Sequence, residues 1–184
     1  PERLERIREG HHDIGLVNLY YDFARYLLIS SSREGSLPAN LQGIWNEEFE
    51  PMWGSKYTIN INIQMNYWMA EKTGLQALHL PLLEHLKRMH PRGKEVAESM
   101  YHAEGFCCHH NTDIWGDCAP QDYHTSSTIW PMGGAWLCLH IYEHYQYTKD
   151  KGFLEEYFPI LKDSVQFFMN YMVQNSDGKW VTGP

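Results

Sequence analysis

Apolar residues recur at every third or fourth position over several long stretches, and this spacing limits the fold more than any other feature of the sequence. The clearest stretch covers residues 11–31. Its apolar residues include Ile14, Val17 and Tyr21, a spacing that predicts a helix. Asp13 stands just before the first of them and is suited to cap the helix start.

The same spacing predicts further helices, three of which are expected to begin at or near a proline. Pro91, for example, suits the first position of a helix. The predicted helices cover residues 64–74, 75–89, 91–101, 130–147, 153–157 and 159–174, and a turn at 175–178 and a short strand at 179–181 follow them. Strands do not alternate with helices, which disfavours a parallel sheet. We therefore predict an all-α fold.

Two long segments, residues 41–55 and 105–129, lack helical spacing and are rich in polar and aromatic residues. Long irregular loops in a domain usually serve a function. Antiparallel helix pairs with such loops at one end would form part of an (α/α)6 toroid whose mouth the loops line. The charged start and the end without a closing helix lead us to expect a single partial domain over residues 1–184, the N-terminal portion of a toroid truncated at both ends.

Charge and cysteine content disfavour several classes of protein. The sequence has 15 Lys and Arg residues against 23 Asp and Glu residues, a formal net charge of −8, and no basic run. Nucleic acids and anionic membrane surfaces require clustered cations, so neither is expected as a partner. No apolar stretch approaches the roughly 20 residues that cross a bilayer. The four cysteines form no CxxC pair and are predicted to be free, buried thiols.

The first motif that could carry chemistry lies in residues 57–68. Apolar and polar residues alternate strictly from Ile59 to Ile63. Period two predicts an extended segment with the isoleucines on one face and Asn60 and Asn62 projecting together from the other. Two amides can grip a hydroxyl or a water, but a nearby carboxylate must then take the proton. The structural alternative is a pair of asparagines that bond the backbone of a neighbouring loop.

A second motif covers residues 109–113 and contains two adjacent histidines. Adjacent residues rarely reach one ion, and neither HExxH nor His-x-His spacing is present, so no metal site is expected here. His110, Asn111 and Asp113 offer hydrogen-bond donors and acceptors, and Trp115 offers a stacking face, as in a loop that contacts a sugar. A capping loop in which Asp113 bonds locally fits the pattern equally well.

Two further motifs pair aromatic residues with small or amide residues. Residues 37–46 contain Asn40, Gln42 and Trp45, which suit either a carbohydrate pocket or a tight structural loop. Residues 130–136 begin with Trp130, which stands just before a predicted helix, where a ligand could contact the helix start.

Small residues follow Trp130 at the start of that predicted helix. Gly133 and Gly134 would let another backbone approach closely, because neither has a side chain. Farther along the same helix, His140 and His144 are predicted to lie on a partly solvated face.

Taken in order, these motifs resemble the α-L-fucosidases of glycoside hydrolase family 95. The matching segments are residues 37–46, 53–68, 110–113 and 130–136, and the likeness covers roughly residues 11–184. The resemblance implies an (α/α)6 toroid, release of terminal α1,2-linked L-fucose from oligosaccharides with inversion, no cofactor or metal, and a secreted or periplasmic parent protein. Some members prefer L-galactose, so the likeness leaves the sugar open.

The resemblance also implies roles for particular residues. Asn60 and Asn62 correspond to two asparagines that help to activate the attacking water, together with an aspartate much later in the chain. The general acid is a glutamate after a Pro-Ser-rich segment. Neither carboxylate can be assigned in residues 1–184, so we expect this chain to be inactive alone. The residues expected to bind substrate are Asn40, Gln42, Trp45, Trp53, Tyr57, His110, Asn111, Asp113 and Trp130.

Two other hypotheses stay open. One is a different α-toroid carbohydrate enzyme, such as an α-L-galactosidase or a phosphorylase, although the predicted mouth loops hold only Arg33 and Lys56 for a phosphate. The other is a non-catalytic sugar-binding domain. Whatever the function, a partial toroid would expose apolar helix faces, so we expect the chain to self-associate.

Overall fold

The computed structural model describes residues 2–182, and helices make up most of them. The helices are α1 (Glu2–Arg8), α2 (Ile14–Ser31), α3 (Asn62–Tyr67), α4 (Leu80–Tyr101), α5 (Thr125–Thr128), α6 (Gly133–Thr148) and α7 (Lys151–Tyr171), with 3-10 turns at Met52–Ser55 and Gln76–Leu78. Two antiparallel pairs complete the fold, β1 (Tyr57–Thr58) with β2 (Asn111–Thr112) and β3 (Met172–Gln174) with β4 (Trp180–Thr182). The mostly helical class is confirmed, whereas the (α/α)6 arrangement stays a prediction.

The start of α2 forms as the sequence predicts. The Asp13 side chain accepts a hydrogen bond from the Leu16 backbone N–H at 2.9 Å, so it satisfies one of the free donors at the helix start. Arg3 donates to both carboxylate oxygens of Asp13 at 2.7 Å. The Arg3 guanidinium and the Leu16 N–H together lower the pKa of Asp13 to about 2.

The core lies where α4, α6 and α7 pack against one another. Its largest fully buried apolar side chains include Leu82, Leu86, Met89, Phe106, Leu137, Ile141, Tyr157 and Phe167. All four cysteines are free and buried, which confirms the prediction from their spacing. Among residues 2–182, no helix combines the length and the apolarity that crossing a bilayer would require.

Two prolines that the sequence analysis placed at helix starts lie inside continuous helices instead. Pro91 lies within α4, so the predicted helices at 75–89 and 91–101 are one, and it begins only at Leu80. Pro159 lies within α7, which also joins two predicted helices and ends at Tyr171, before β3. A proline has no N–H, so the carbonyl four residues before it lacks its helical hydrogen bond. Both prolines are exposed, so water can bond that carbonyl, while packing on the opposite face of the helix keeps it continuous.

The glycines at the start of α6 allow a close backbone contact, as predicted. The Gly133 N–H donates to the Cys108 carbonyl at 3.0 Å. A Cβ at Gly133 would lie 2.5 Å from the His109 carbonyl oxygen, and one at Gly134 would lie 2.8 Å from the Phe106 ring. The missing side chains therefore let residues 106–109 lie directly against the helix start.

The prediction that His140 and His144 lie on a solvated face is wrong. Both are buried, and they join Glu71 and His79 in a polar cluster within the core. His79 Nε2 lies 2.9 Å from His140 Nδ1, and His144 Nδ1 lies 2.7 Å from Glu71 Oε1. The sequence of α6 did not reveal this burial, because histidine is polar and the partners of His140 and His144 lie about 60–70 residues away in sequence.

Helix α2, by contrast, packs against little of the described chain and is largely exposed. Only Leu28 and Ser31 of its 18 residues are buried. Val17 is 67% exposed and Tyr20 is 77% exposed, and together with Leu4 and Ile7 of α1 they line an entirely apolar groove of about 550 Å³. An apolar surface of this kind favours association with another surface.

The glycine contact generates a test of the fold. We predict that Gly133→Ala lowers the free energy of unfolding by about 1–3 kcal/mol, because the new methyl group overlaps the His109 carbonyl. Urea denaturation of the complete polypeptide that contains residues 1–184 measures the change. The matched control is Gly152→Ala on α7, where a Cβ would lie 3.3 Å from a single side-chain atom, Asp150 Oδ1, and no backbone atom is near, so little change in stability is expected. Equal stability of both variants would contradict the packing.

The exposed apolar face of α2 generates a second test. We predict that the isolated 184-residue chain self-associates at micromolar concentration, and that Val17→Glu with Tyr20→Glu shifts it toward monomer, because carboxylates disrupt an apolar contact. Light scattering after size exclusion measures the mass. Tyr123→Glu is the control, since Tyr123 is 97% exposed and far from this groove in sequence. A monomeric wild-type chain would overturn the prediction.

Candidate functional site

The short β1–β2 pair brings the two polar motifs side by side. Tyr57 pairs with Thr112, and Thr58 pairs with Asn111. One further bond extends the ladder, from the Ile59 N–H to the His110 carbonyl at 2.7 Å. Residues about 50 positions apart in sequence therefore lie on neighbouring strands, and the Asn-x-Asn motif follows directly from the end of this ladder.

The prediction of an extended segment from Tyr57 to Ile63 is wrong beyond Ile59. A turn follows, and Asn62 is already the first residue of α3. Ile59 and Ile63 are buried, but Ile61 is 40% exposed, so the three isoleucines do not share a face.

Hydrogen bonds explain why the strand stops at this point. The buried Gln64 side chain donates its amide N–H to the Ile59 carbonyl, which removes that carbonyl from further strand pairing. The Met65 N–H then donates to the Ile61 carbonyl at 3.0 Å, the first bond of the helix. Gln64 therefore fixes the turn that carries both asparagines.

Asn60 is exposed and Asn62 is half-buried at the start of α3. Within residues 2–182, neither side-chain amide forms a hydrogen bond to another residue, so the neighbouring loops do not use them as structural links. Each amide offers two N–H donors and a carbonyl acceptor. The two side chains are therefore available to a water or a sugar hydroxyl, although the turn, and not strand geometry, sets their directions.

The adjacent histidines have separate structural surroundings. His109 Nδ1 donates to the Cys118 carbonyl at 2.8 Å, and its Nε2 accepts from the Tyr101 hydroxyl at 2.7 Å. His110 Nε2 accepts from the Asn111 side-chain amide at 2.8 Å. Burial lowers the pKa of both histidines, which favours their neutral forms. Both ring nitrogens of His109 are engaged, so His109 and His110 do not form a shared metal centre.

Asp113 bonds locally, as the alternative interpretation of its loop describes. One carboxylate oxygen accepts from the Trp115 N–H at 2.9 Å and from the Asp117 N–H at 3.0 Å. This arrangement is an Asx-type turn that shapes the loop. Asp113 therefore stabilises the backbone conformation of residues 113–117.

Asn40 also builds backbone structure. Its side-chain oxygen accepts from the Gln42 N–H at 2.9 Å and from the Ser55 hydroxyl at 3.1 Å, while its carbonyl accepts from the Asn66 side chain at 3.1 Å. The buried Tyr57 hydroxyl donates to the Pro38 carbonyl at 3.0 Å. Asn40 and Tyr57 therefore hold the 37–43 loop against β1 and α3.

Several buried polar atoms next to these links have no hydrogen-bond partner within the described part of the chain. They are the side-chain oxygens of Gln42, Gln64, Asn111 and Thr112 and the Nδ1 atom of His110. A buried polar atom without a partner is costly, so each of these atoms is suited to accept or donate a bond to a ligand. Gln42 in addition lines an open cavity of about 400 Å³ with Trp45 and Met65.

The candidate tryptophans differ in their surroundings. Trp45 packs against Tyr26 of α2, with ring centroids 6.3 Å apart, and still exposes part of its indole. Trp130 packs edge-on against the half-buried Trp136 at 6.1 Å. Trp53 is 77% exposed and has a φ of 56°, so it projects from the 3-10 turn without a close aromatic partner among the described residues.

The sequence analysis missed the buried residues that hold the loops and the turn of the site in place. Gln64 fixes the turn, and the fully buried Tyr67 hydroxyl bonds the Ser32 hydroxyl at 2.7 Å and accepts from the Ala39 N–H at 2.8 Å. Both follow the asparagines at helical spacing, and a polar residue on the inward face of a short helix is the signal that could have revealed them.

Comparisons with known proteins identify the family of the chain. A family model described as the glycosyl hydrolase family 95 catalytic domain matches residues 1–184. The chain is 40% identical over 183 residues to a protein of Arabidopsis thaliana named alpha-L-fucosidase 2, covering 98% of this chain and 22% of that protein. It is 40% identical over 173 residues to a protein of Aspergillus niger named probable alpha-fucosidase A, covering 91% of this chain and 22% of that protein.

A second fungal relative supports the same relationship. A protein of Aspergillus oryzae, also named probable alpha-fucosidase A, is 41% identical over 115 residues, which cover 62% of this chain and 15% of that protein. The chain spans about a fifth of the length of the first two relatives. Because the family model matches the whole chain and identity reaches 40%, the chain belongs to glycosyl hydrolase family 95, as part of its catalytic domain.

Proposed function

We propose that these residues form part of a glycosidase that removes terminal α1,2-linked L-fucose from oligosaccharides with inversion. The observation that carries the proposal is the β1–β2 pair, because the turn that follows β1 holds the free amides of Asn60 and Asn62, and the ladder joins β1 to the polar segment of His110 and Asn111. Family membership and the names of the relatives support action on a fucoside.

In the proposed mechanism, Asn60 and Asn62 hold the water that attacks the anomeric carbon. Amide groups orient a water through hydrogen bonds but do not take its proton at neutral pH, so a carboxylate must act as the base. A second carboxyl group protonates the leaving oxygen, about 6.5–9.5 Å from the base in inverting enzymes. We assign neither carboxylate to residues 1–184 and propose that both come from elsewhere in the complete polypeptide.

The proposed sugar site combines apolar and polar surfaces. L-fucose has a methyl group and apolar C–H faces, which suit the indole of Trp45 and the cavity that it lines. Its hydroxyl groups suit the unpartnered oxygens of Gln42 and Asn111. In this proposal Asn40, Tyr57 and Asp113 act indirectly, since their known bonds shape the loops.

The phosphorylase alternative has less support. A phosphate group needs a cluster of Arg or Lys side chains. Lys56 lies 3.8 Å from the Asp122 carboxylate, so that carboxylate already offsets its charge. Arg33 donates to the Ile29 carbonyl of α2 at 3.1 Å. We therefore favour water over phosphate as the attacking group.

Substitution of the two asparagines tests the proposal. In the complete polypeptide, we predict that Asn60→Ala and Asn62→Ala each lower kcat for 2′-fucosyllactose by about 10²–10³-fold, with a smaller change in KM, because each removes a group that orients the water. Fucose release measures the rates.

Asn18→Ala is the matched control, because Asn18 is exposed on α2 and remote in sequence from the motif. Its kcat should equal the wild-type value. Full rates in both site variants would exclude the water-orienting role. No fucose release by the wild-type protein would instead favour another sugar or a binding-only domain.

A further inference from the structure

A buried cluster of one carboxylate and two imidazoles lies in the core, and none of its residues has a role in the proposed sugar site. Glu71 is 2% exposed, His79 is 0% exposed and His144 is 6% exposed. His79 Nδ1 and His144 Nδ1 each lie 2.7 Å from the same carboxylate oxygen, Glu71 Oε1. Three different segments supply these groups, namely the turns after α3, the residue before α4, and α6.

Protein groups alone leave this cluster incomplete. The second carboxylate oxygen, Glu71 Oε2, is buried and has no hydrogen-bond partner among the described residues. A buried anionic oxygen without a partner is strongly unfavourable, and buried charges are normally paired or bound to a metal. The two imidazoles converge on the other oxygen, so the cluster has donor atoms of the kind that bind zinc.

We propose that Glu71, His79 and His144 bind a zinc ion, with both oxygens of Glu71 and the Nδ1 atoms of the two histidines as ligands. The three donor groups already lie within 4.8 Å of one another. Zinc lies about 2.0–2.2 Å from nitrogen and oxygen ligands in a tetrahedral site, so each histidine nitrogen has to move roughly 0.7 Å away from Glu71 Oε1. Mixed imidazole and carboxylate donors favour zinc over calcium or magnesium.

The groups around the cluster suit this role. His79 Nε2 lies 2.9 Å from His140 Nδ1, which can accept a hydrogen bond from the outer N–H of a zinc-bound imidazole. Tyr67 stacks on His79 at 5.5 Å, and the Phe153 ring lies 4.5 Å from His144. These contacts fix the ring orientations. Because four protein atoms would fill the coordination and no ligand is exposed, the ion would have a structural role that joins the three segments.

Metal content tests the proposal. The complete polypeptide is stripped with a chelator, given one equivalent of zinc, freed of excess metal by gel filtration, and measured by mass spectrometry of the element. We expect one zinc ion per chain, and a rise in the thermal midpoint when zinc is added. Cobalt(II) in place of zinc should give the visible absorption of a four-coordinate site.

Variants separate specific binding from adventitious binding. Glu71→Gln and His144→Ala should lose the zinc ion and the cobalt spectrum. His140→Asn retains all three ligands and should keep one zinc ion, and this separates loss of a ligand from the general effect of a substitution within the cluster. His90→Asn is the matched control, because His90 forms a half-buried pair with Asp163 at 2.8 Å outside the cluster. It should also keep one zinc ion.

Two results would overturn the proposal. A wild-type protein that retains no zinc, with an unchanged thermal midpoint, would show that the cluster is a metal-free hydrogen-bonded network. Equal zinc retention in Glu71→Gln, His144→Ala and wild type would show that the metal binds elsewhere.

Discussion

The candidate site depends on one backbone contact, the ladder between β1 and β2 that ends with the Ile59 N–H bonded to the His110 carbonyl. This ladder is only a few bonds long, and it joins two largely irregular segments of the chain. The start of α6 holds the second loop from the other side, through the Gly133 bond to the Cys108 carbonyl. Precise placement of the asparagines thus comes from packing around a minimal strand pair.

The polar side chains of the site divide into two groups with different tasks. One group forms hydrogen bonds to neighbouring backbone or side chains and so shapes the loops; it consists of Asn40, Tyr57, His109 and Asp113. Asn60 and Asn62 keep their side-chain amides free within the described residues. Residue type alone does not distinguish the two groups, because an asparagine serves a structural turn as well as it serves a sugar hydroxyl. Only the hydrogen-bond partners separate them.

Local signals in the sequence predicted local structure well. The cap at Asp13 and the close approach at Gly133 follow from the properties of single residues, and both are confirmed. The failures at Pro91 and Pro159 arose because tertiary packing kept each helix continuous across an exposed proline.

Long-range partners explain the remaining failures. Alternation from Ile59 to Ile63 predicted a strand, but the Gln64 side chain ends it by binding the Ile59 carbonyl. The sequence of α6 alone predicted that His140 and His144 are solvated, because their partners Glu71 and His79 are distant in sequence.

The most direct test of the functional account is the configuration of the sugar at the moment of release. If Asn60 and Asn62 hold a water that attacks the anomeric carbon directly, inversion follows, and proton NMR of 2′-fucosyllactose with the complete polypeptide should detect β-L-fucose first, before mutarotation. Initial release of α-L-fucose would mean that a covalent intermediate forms, and would contradict direct attack by the water that these residues are proposed to hold.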